Sequence, residues 1–154
     1  MRPLRLAFVA YLAAVLVVTL WPSPQTTDAP RWTAAILAAA HTLGIPLTVE
    51  VLEPLANVVM FVPFGLLGWF LAADRRPGTP RGRLAAVVVL AGCALSASIE
   101  TVQLAVPGRV TSLQDVVVNT AGALVGVLLA LLLTPLVDRL VDRHGTRRPT
   151  RLGR

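Results

Sequence analysis

Four blocks of apolar sequence, at about residues 4–21, 54–73, 84–106 and 113–133, constrain this chain more than anything else in it. Each is close to the roughly 20 residues that an α-helix needs to cross about 30 Å of hydrocarbon at about 1.5 Å per residue. A backbone in lipid has to satisfy its own N–H and C=O groups, so such blocks fold as spanning helices. Composition agrees: the 154 residues are 55% hydrophobic and 14% charged, where a soluble domain carries about 25% charged residues. The expected fold class is all-α, a polytopic membrane protein built as a bundle of four transmembrane helices. One domain covers residues 1–135, and residues 136–154 form a basic cytoplasmic tail.

Charge sets the expected topology. All fourteen basic residues are arginine, and the formal charge is +6. Two arginines (Arg2, Arg5) stand at the start of the first block, four (Arg75, Arg76, Arg81, Arg83) lie between the second and third, and six follow the fourth. The other two loops hold one each, Arg31 and Arg109. The positive-inside rule then puts both termini and the second loop in the cytoplasm of a plasma-membrane protein. Basic charge beside apolar spans speaks for topology and anionic lipid, and no nucleic-acid partner is expected. The first block could instead be the core of a signal peptide, but its length, Trp21 as an interfacial anchor and a poor cleavage site favour a retained span.

The punctuation of the chain gives further expectations. After Pro22, Pro24 and Pro30, the stretch RWTAAILAAAHTLG reads as a short helix closed by Gly44 and Pro46. At about 21 Å it is too short to span, and Trp32, Ile36, Ala39 and Leu43 on one face suggest an interfacial helix. His41 in it reads as a solvated loop histidine. Pro54 suits a helix's first turn. Pro63 removes one donor within the second span and crowds the carbonyl of Val59, so a bend is expected there. Pro135 marks a break, after which Leu136 onward can form an amphipathic surface helix. Cys93, alone in an apolar run, reads as a small buried hydrophobe.

Polar residues interrupt the apolar blocks at one end. Glu100 lies about 9 Å deep in the third span, with Gln103 one turn above it and Ser96 and Gly92 on the face below. The fourth span begins with Asp115 and Asn119, followed on that face by Gly122, Gly126 and Ala130. The second begins with Asn57, followed by Phe61, Phe64 and Gly68, and Arg109 sits in the connector. A single outer-facing pocket built from these residues is the expectation. Each part also has an ordinary structural explanation. Gly122-x-x-x-Gly126 lets helices approach closely, and Asn119 can bond a neighbouring helix. Ser112-x-x-Asp115 resembles a capping box, while Phe61, Pro63, Phe64 and Gly65 suit helix packing. Glu100 alone lacks such a reason: a carboxylate at that depth is protonated, paired with Arg109, or facing a wet cavity. No metal-ligand spacing or cofactor motif is present, so neither a metal nor a cofactor is expected. Ser96 has no base arranged to activate it. Glu100, Asp115 and Arg109 together carry −1, which suits a mixed polar headgroup such as a sugar or peptide bearing one anionic group.

The motifs Asn57-x-x-x-Phe61-x-Pro63-Phe64-Gly65, Glu100-x-x-Gln103, Gly108-Arg109 and Asp115-x-x-x-Asn119-x-x-Gly122-x-x-x-Gly126 resemble those of the VanZ-like family of bacterial membrane proteins, over about residues 50–130. The resemblance implies a cell-envelope protein and a link to resistance to teicoplanin. It points to Asn57, Glu100, Gln103, Arg109, Asp115 and Asn119 as the positions that carry a shared role. Where relatives have further acids between the Arg and the Asn, this chain has Ser112 and Gln114, which weakens any cation-binding role. The reading that follows is a non-enzymatic protein binding membrane lipids, an envelope lipid or a lipid-linked wall precursor. The alternative is a membrane enzyme using Glu100 and Asp115 as acid and base. An alternating-access carrier would require a homo-oligomer, because four spans show no internal repeat.

Overall fold

The computed structural model describes residues 2–20, 31–106 and 111–145. These form five helices: α1 (Arg2–Leu20), α2 (Arg31–Thr42), α3 (Val49–Arg75), α4 (Arg81–Gln103) and α5 (Leu113–Gly145). Among the described residues there is no strand. Four of the helices, α1, α3, α4 and the Leu113–Leu136 part of α5, are long and apolar enough to cross a membrane. The protein is a multi-pass helical bundle with one short additional helix.

The proline expectations need correction at two points. α3 begins at Val49, so Pro54 lies inside the helix and not in its first turn. α5 runs through Pro135 to Gly145 without a break. A proline removes one backbone hydrogen bond and crowds one carbonyl, and helices of 27 and 33 residues continue past such a local loss. Residues 136–145 are therefore the continuation of α5 and not a separate surface helix, and the rest of the basic tail lies outside the described residues.

The close of α2 follows its glycine. Gly44 takes φ +72°, its N–H donates to the His41 carbonyl at 3.0 Å, and Ile45 N–H reaches back to Ala40 at 2.9 Å. This Schellman pair needs a left-handed residue, which glycine supplies without strain. α2 turns Thr33 and Ala40 inward, while Ile36 and Leu43 are exposed.

The core is a seam between α3 and α5, with α4 laid against both. Phe61 on α3 and Ala123, Val127 and Ala130 on α5 are fully buried. The backbones approach because glycines face them. A Cβ at Gly65 would fall on the Ala123 carbonyl, one at Gly122 on the Val58 carbonyl, and one at Gly126 on the Val62 carbonyl. Small residues of this kind let apolar helices associate where burial from water supplies no drive. α4 joins through Gly92, where an added Cβ would come within 2.8 Å of Ala123 Cβ.

α1 is attached differently. Val15 is its one buried residue. Its contacts include an Arg5–Asp74 ion pair at 3.3 Å, a hydrogen bond from Tyr11 Oη to the Met60 carbonyl at 2.7 Å, and one from Gln103 Nε2 to the Thr19 carbonyl at 2.8 Å. The Met60 carbonyl lies beside that of Val59, which Pro63 leaves without its helical donor, so Tyr11 meets α3 at its disturbed turn. The ion pair sets the start of α1 beside the end of α3. The bundle thus has an arginine-rich end and, at the opposite ends of α3, α4 and α5, a polar end.

Candidate functional site

The polar end is organised by the first two turns of α5. Ser112 is the N-terminal cap: its Oγ accepts from Gln114 N–H at 3.1 Å, and its carbonyl from Asp115 N–H at 3.0 Å. In a capping box the acid at position three would return to the cap residue's own N–H. Asp115 does not do so. Its Oδ1 accepts from Asn57 Nδ2 on α3 at 2.9 Å. The Ser112 N–H donates instead to Glu100 Oε2 on α4, at 2.9 Å.

Glu100 therefore does help to build a helix. From α4 it closes the box that Asp115 leaves open. Both carboxylates are half-buried, and both stand at the start of α5, where the helix dipole favours negative charge. One turn deeper, Asn119 Nδ2 donates to Ser96 Oγ on α4 at 2.8 Å. Ser96 is fully buried and Asn119 nearly so. Asn119 Oδ1 is buried and has no hydrogen-bond partner.

Four of the residues singled out from sequence, Asn57, Glu100, Asp115 and Asn119, thus meet at α5 between Ser112 and Asn119. They meet as interhelical pairs. Gln103 departs from this group: it shares a helix with Glu100 but turns to Thr19 on α1. Arg109 lies outside the described residues. Beneath the pairs, Phe61 and Gly65 are buried in the seam with Gly122 and Gly126, Phe64 is buried beside Phe8 of α1, and Pro63 is half-buried. Outside the group, the exposed His41 places Nε2 3.2 Å from the Leu47 carbonyl and so ties the end of α2 to the chain that follows. Cys93 is half-buried and free.

Sequence reasoning gave no part to Ser112 N–H, Thr19 or Tyr11. A backbone N–H or carbonyl is present at every residue, so neither of the first two carries a compositional signal. Ser96 did carry one, since it lies four residues before Glu100 on the same face. Chemically, the site is rich in acceptors: two carboxylates and a buried amide oxygen. Ser96 Oγ is bonded by an amide and not by a base, so nothing here activates it as a nucleophile. Among the described residues, no three His, Cys, Asp or Glu side chains come together as a metal site would require.

Comparison with known families settles the affiliation. The sequence profile of the VanZ/LLP1 family matches residues 8–134. The chain belongs to the VanZ-like family. No curated protein and no solved structure matches it significantly. The VanZ-like region runs from Phe8 in α1 to Thr134 in α5, so it contains the interhelical bonds of the polar end among the described residues. It also takes in α1 from Phe8 onward, a stretch that lies before the motifs that carried the resemblance and supplies the acceptor for Gln103.

Proposed function

We propose that this VanZ-like protein resides in the bacterial plasma membrane with both termini in the cytoplasm. Its polar end then faces outward and binds an envelope lipid or a lipid-linked wall precursor through a headgroup that offers hydroxyl or amine donors. The observation that carries this reading is the acceptor surplus at the start of α5. Glu100 and Asp115 stand half-buried there, and Asn119 Oδ1 lies unpaired beneath them. A buried acceptor without a donor costs about 1–3 kcal/mol, and a donor-bearing headgroup offsets that cost. The arginines at the opposite end support the orientation. Binding is favoured over catalysis because the one buried hydroxyl in the group, Ser96, has no base beside it.

The family resemblance supplies a phenotype, reduced susceptibility to teicoplanin. The test uses the full chain in lipid nanodiscs, with undecaprenyl-diphosphate-linked disaccharide pentapeptide as probe and undecaprenyl phosphate as control. Asp115→Asn and Glu100→Gln remove charge but keep the oxygens that accept from Asn57 and Ser112. Each should weaken binding of the disaccharide probe roughly tenfold or more, as loss of a charged hydrogen bond does, and should lower teicoplanin tolerance in a susceptible host. Variants that bind and protect like the parent would overturn the proposal.

A further inference from the structure

The arginine-rich end holds a feature that the polar site does not use. A cavity of about 370 Å³ opens between α1, α3 and α4, within the range of small-ligand sites. Its walls are largely apolar and include Phe8 and Leu12 on α1, Phe64 and Leu71 on α3, and Val88 on α4. Gly68 also lines it and lets α4 close on α3 there, since a Cβ would come within 3.1 Å of Val88. Two charged side chains also line it, Arg5 and Arg75. Arg5 shares Asp74 through one exposed contact at 3.3 Å, and Arg75 has no carboxylate partner among the described residues.

An apolar void in a membrane-spanning bundle is filled by hydrocarbon and not by water, because water needs two or more polar partners. Guanidinium groups at such an opening recognise phosphate, to which their fork of N–H donors is matched. Basic pockets between spanning helices are accordingly places where anionic lipids are held. We infer that this cleft is an anionic-phospholipid site: one acyl chain lies between α1 and the α3–α4 pair, and Arg5 and Arg75 hold the phosphate at its mouth. The lipid completes the seat of α1, which direct packing leaves with one buried residue. The site lies at the end opposite to Glu100 and Asp115, and it stands or falls independently of what binds there.

Native mass spectrometry of the full chain, released from micelles containing equal phosphatidylglycerol and phosphatidylcholine with identical acyl chains, tests both halves. The parent should retain phosphatidylglycerol preferentially. The surface pair Arg5→Gln/Arg75→Gln should lower that preference roughly fivefold per arginine, the worth of one basic residue near an anionic surface, while either lipid is still retained. Ala72→Phe, which fills the cavity from its wall, should abolish retention of both, with α-helical content unchanged as a check of folding. A parent that holds the two lipids equally refutes the anionic-headgroup half. A folded Ala72→Phe variant that retains phosphatidylglycerol as the parent does refutes the site.

Discussion

The seam between α3 and α5 and the seat of α1 solve the same problem in opposite ways. Along the seam, Gly65, Gly122 and Gly126 remove side chains so that one backbone rests on the other. At α1 the apolar contact is looser, with Val15 its one buried residue, and the Arg5–Asp74 pair and the Tyr11 and Gln103 hydrogen bonds add polar pins. In a bilayer both strategies are available because lipid tails are as apolar as leucine: helices gain little by hiding apolar area and must gain from close fit or from polar bonds. Close fit is distributed over many atoms and fails together. Polar pins are few and fail singly.

That contrast can be broken by experiment. The largest effect should come from Gly126→Leu, which forces a side chain into the Val62 carbonyl. Overpacking costs about 1–3 kcal/mol or more, and with backbone on the other side the loss should reach about 3 kcal/mol, read as a lowered unfolding midpoint in detergent. Next, Tyr11→Phe with Gln103→Leu removes two of the pins. At about 0.6 kcal/mol for an average interhelical hydrogen bond, the pair should cost about 1 kcal/mol and speed hydrogen exchange in α1 while leaving α5 protected. Smallest is Tyr11→Phe alone, about 0.6 kcal/mol, visible as a modest rise in α1 exchange. If Tyr11→Phe destabilised the bundle as much as Gly126→Leu, α1 would be part of the cooperative core and the distinction would fall.

The spans were legible in the sequence because a lipid environment leaves few alternatives to a long apolar helix. The ends of α3 and α5 were harder. Pro54 and Pro135 look like boundaries when each is judged locally, yet one missing hydrogen bond is small beside the length of helix around it. At the polar end, side chains on a common helical face were visible in advance, as with Ser96 and Glu100 on α4 or Asp115 and Asn119 on α5. Which partner each would choose was not. Glu100 finds a backbone N–H across the α4–α5 connector, at Ser112, and Gln103 finds a carbonyl on α1. Residue-type patterns carry no mark of either, so a depth argument could show that Glu100 needed a partner and offer Arg109 for it, but could not name the Ser112 N–H.

The continuity of α5 has a mechanical consequence. Its 33 residues measure about 50 Å, against about 30 Å of hydrocarbon, so the helix leans within the bilayer or stands clear of it. Its first turns are fastened to α3 and α4 through Asn57, Glu100 and Ser96. A ligand that shifted that fastening would swing the far end of α5 like the tip of a lever, with Pro135 as its softest joint, carrying news of binding on one side of the membrane to the other.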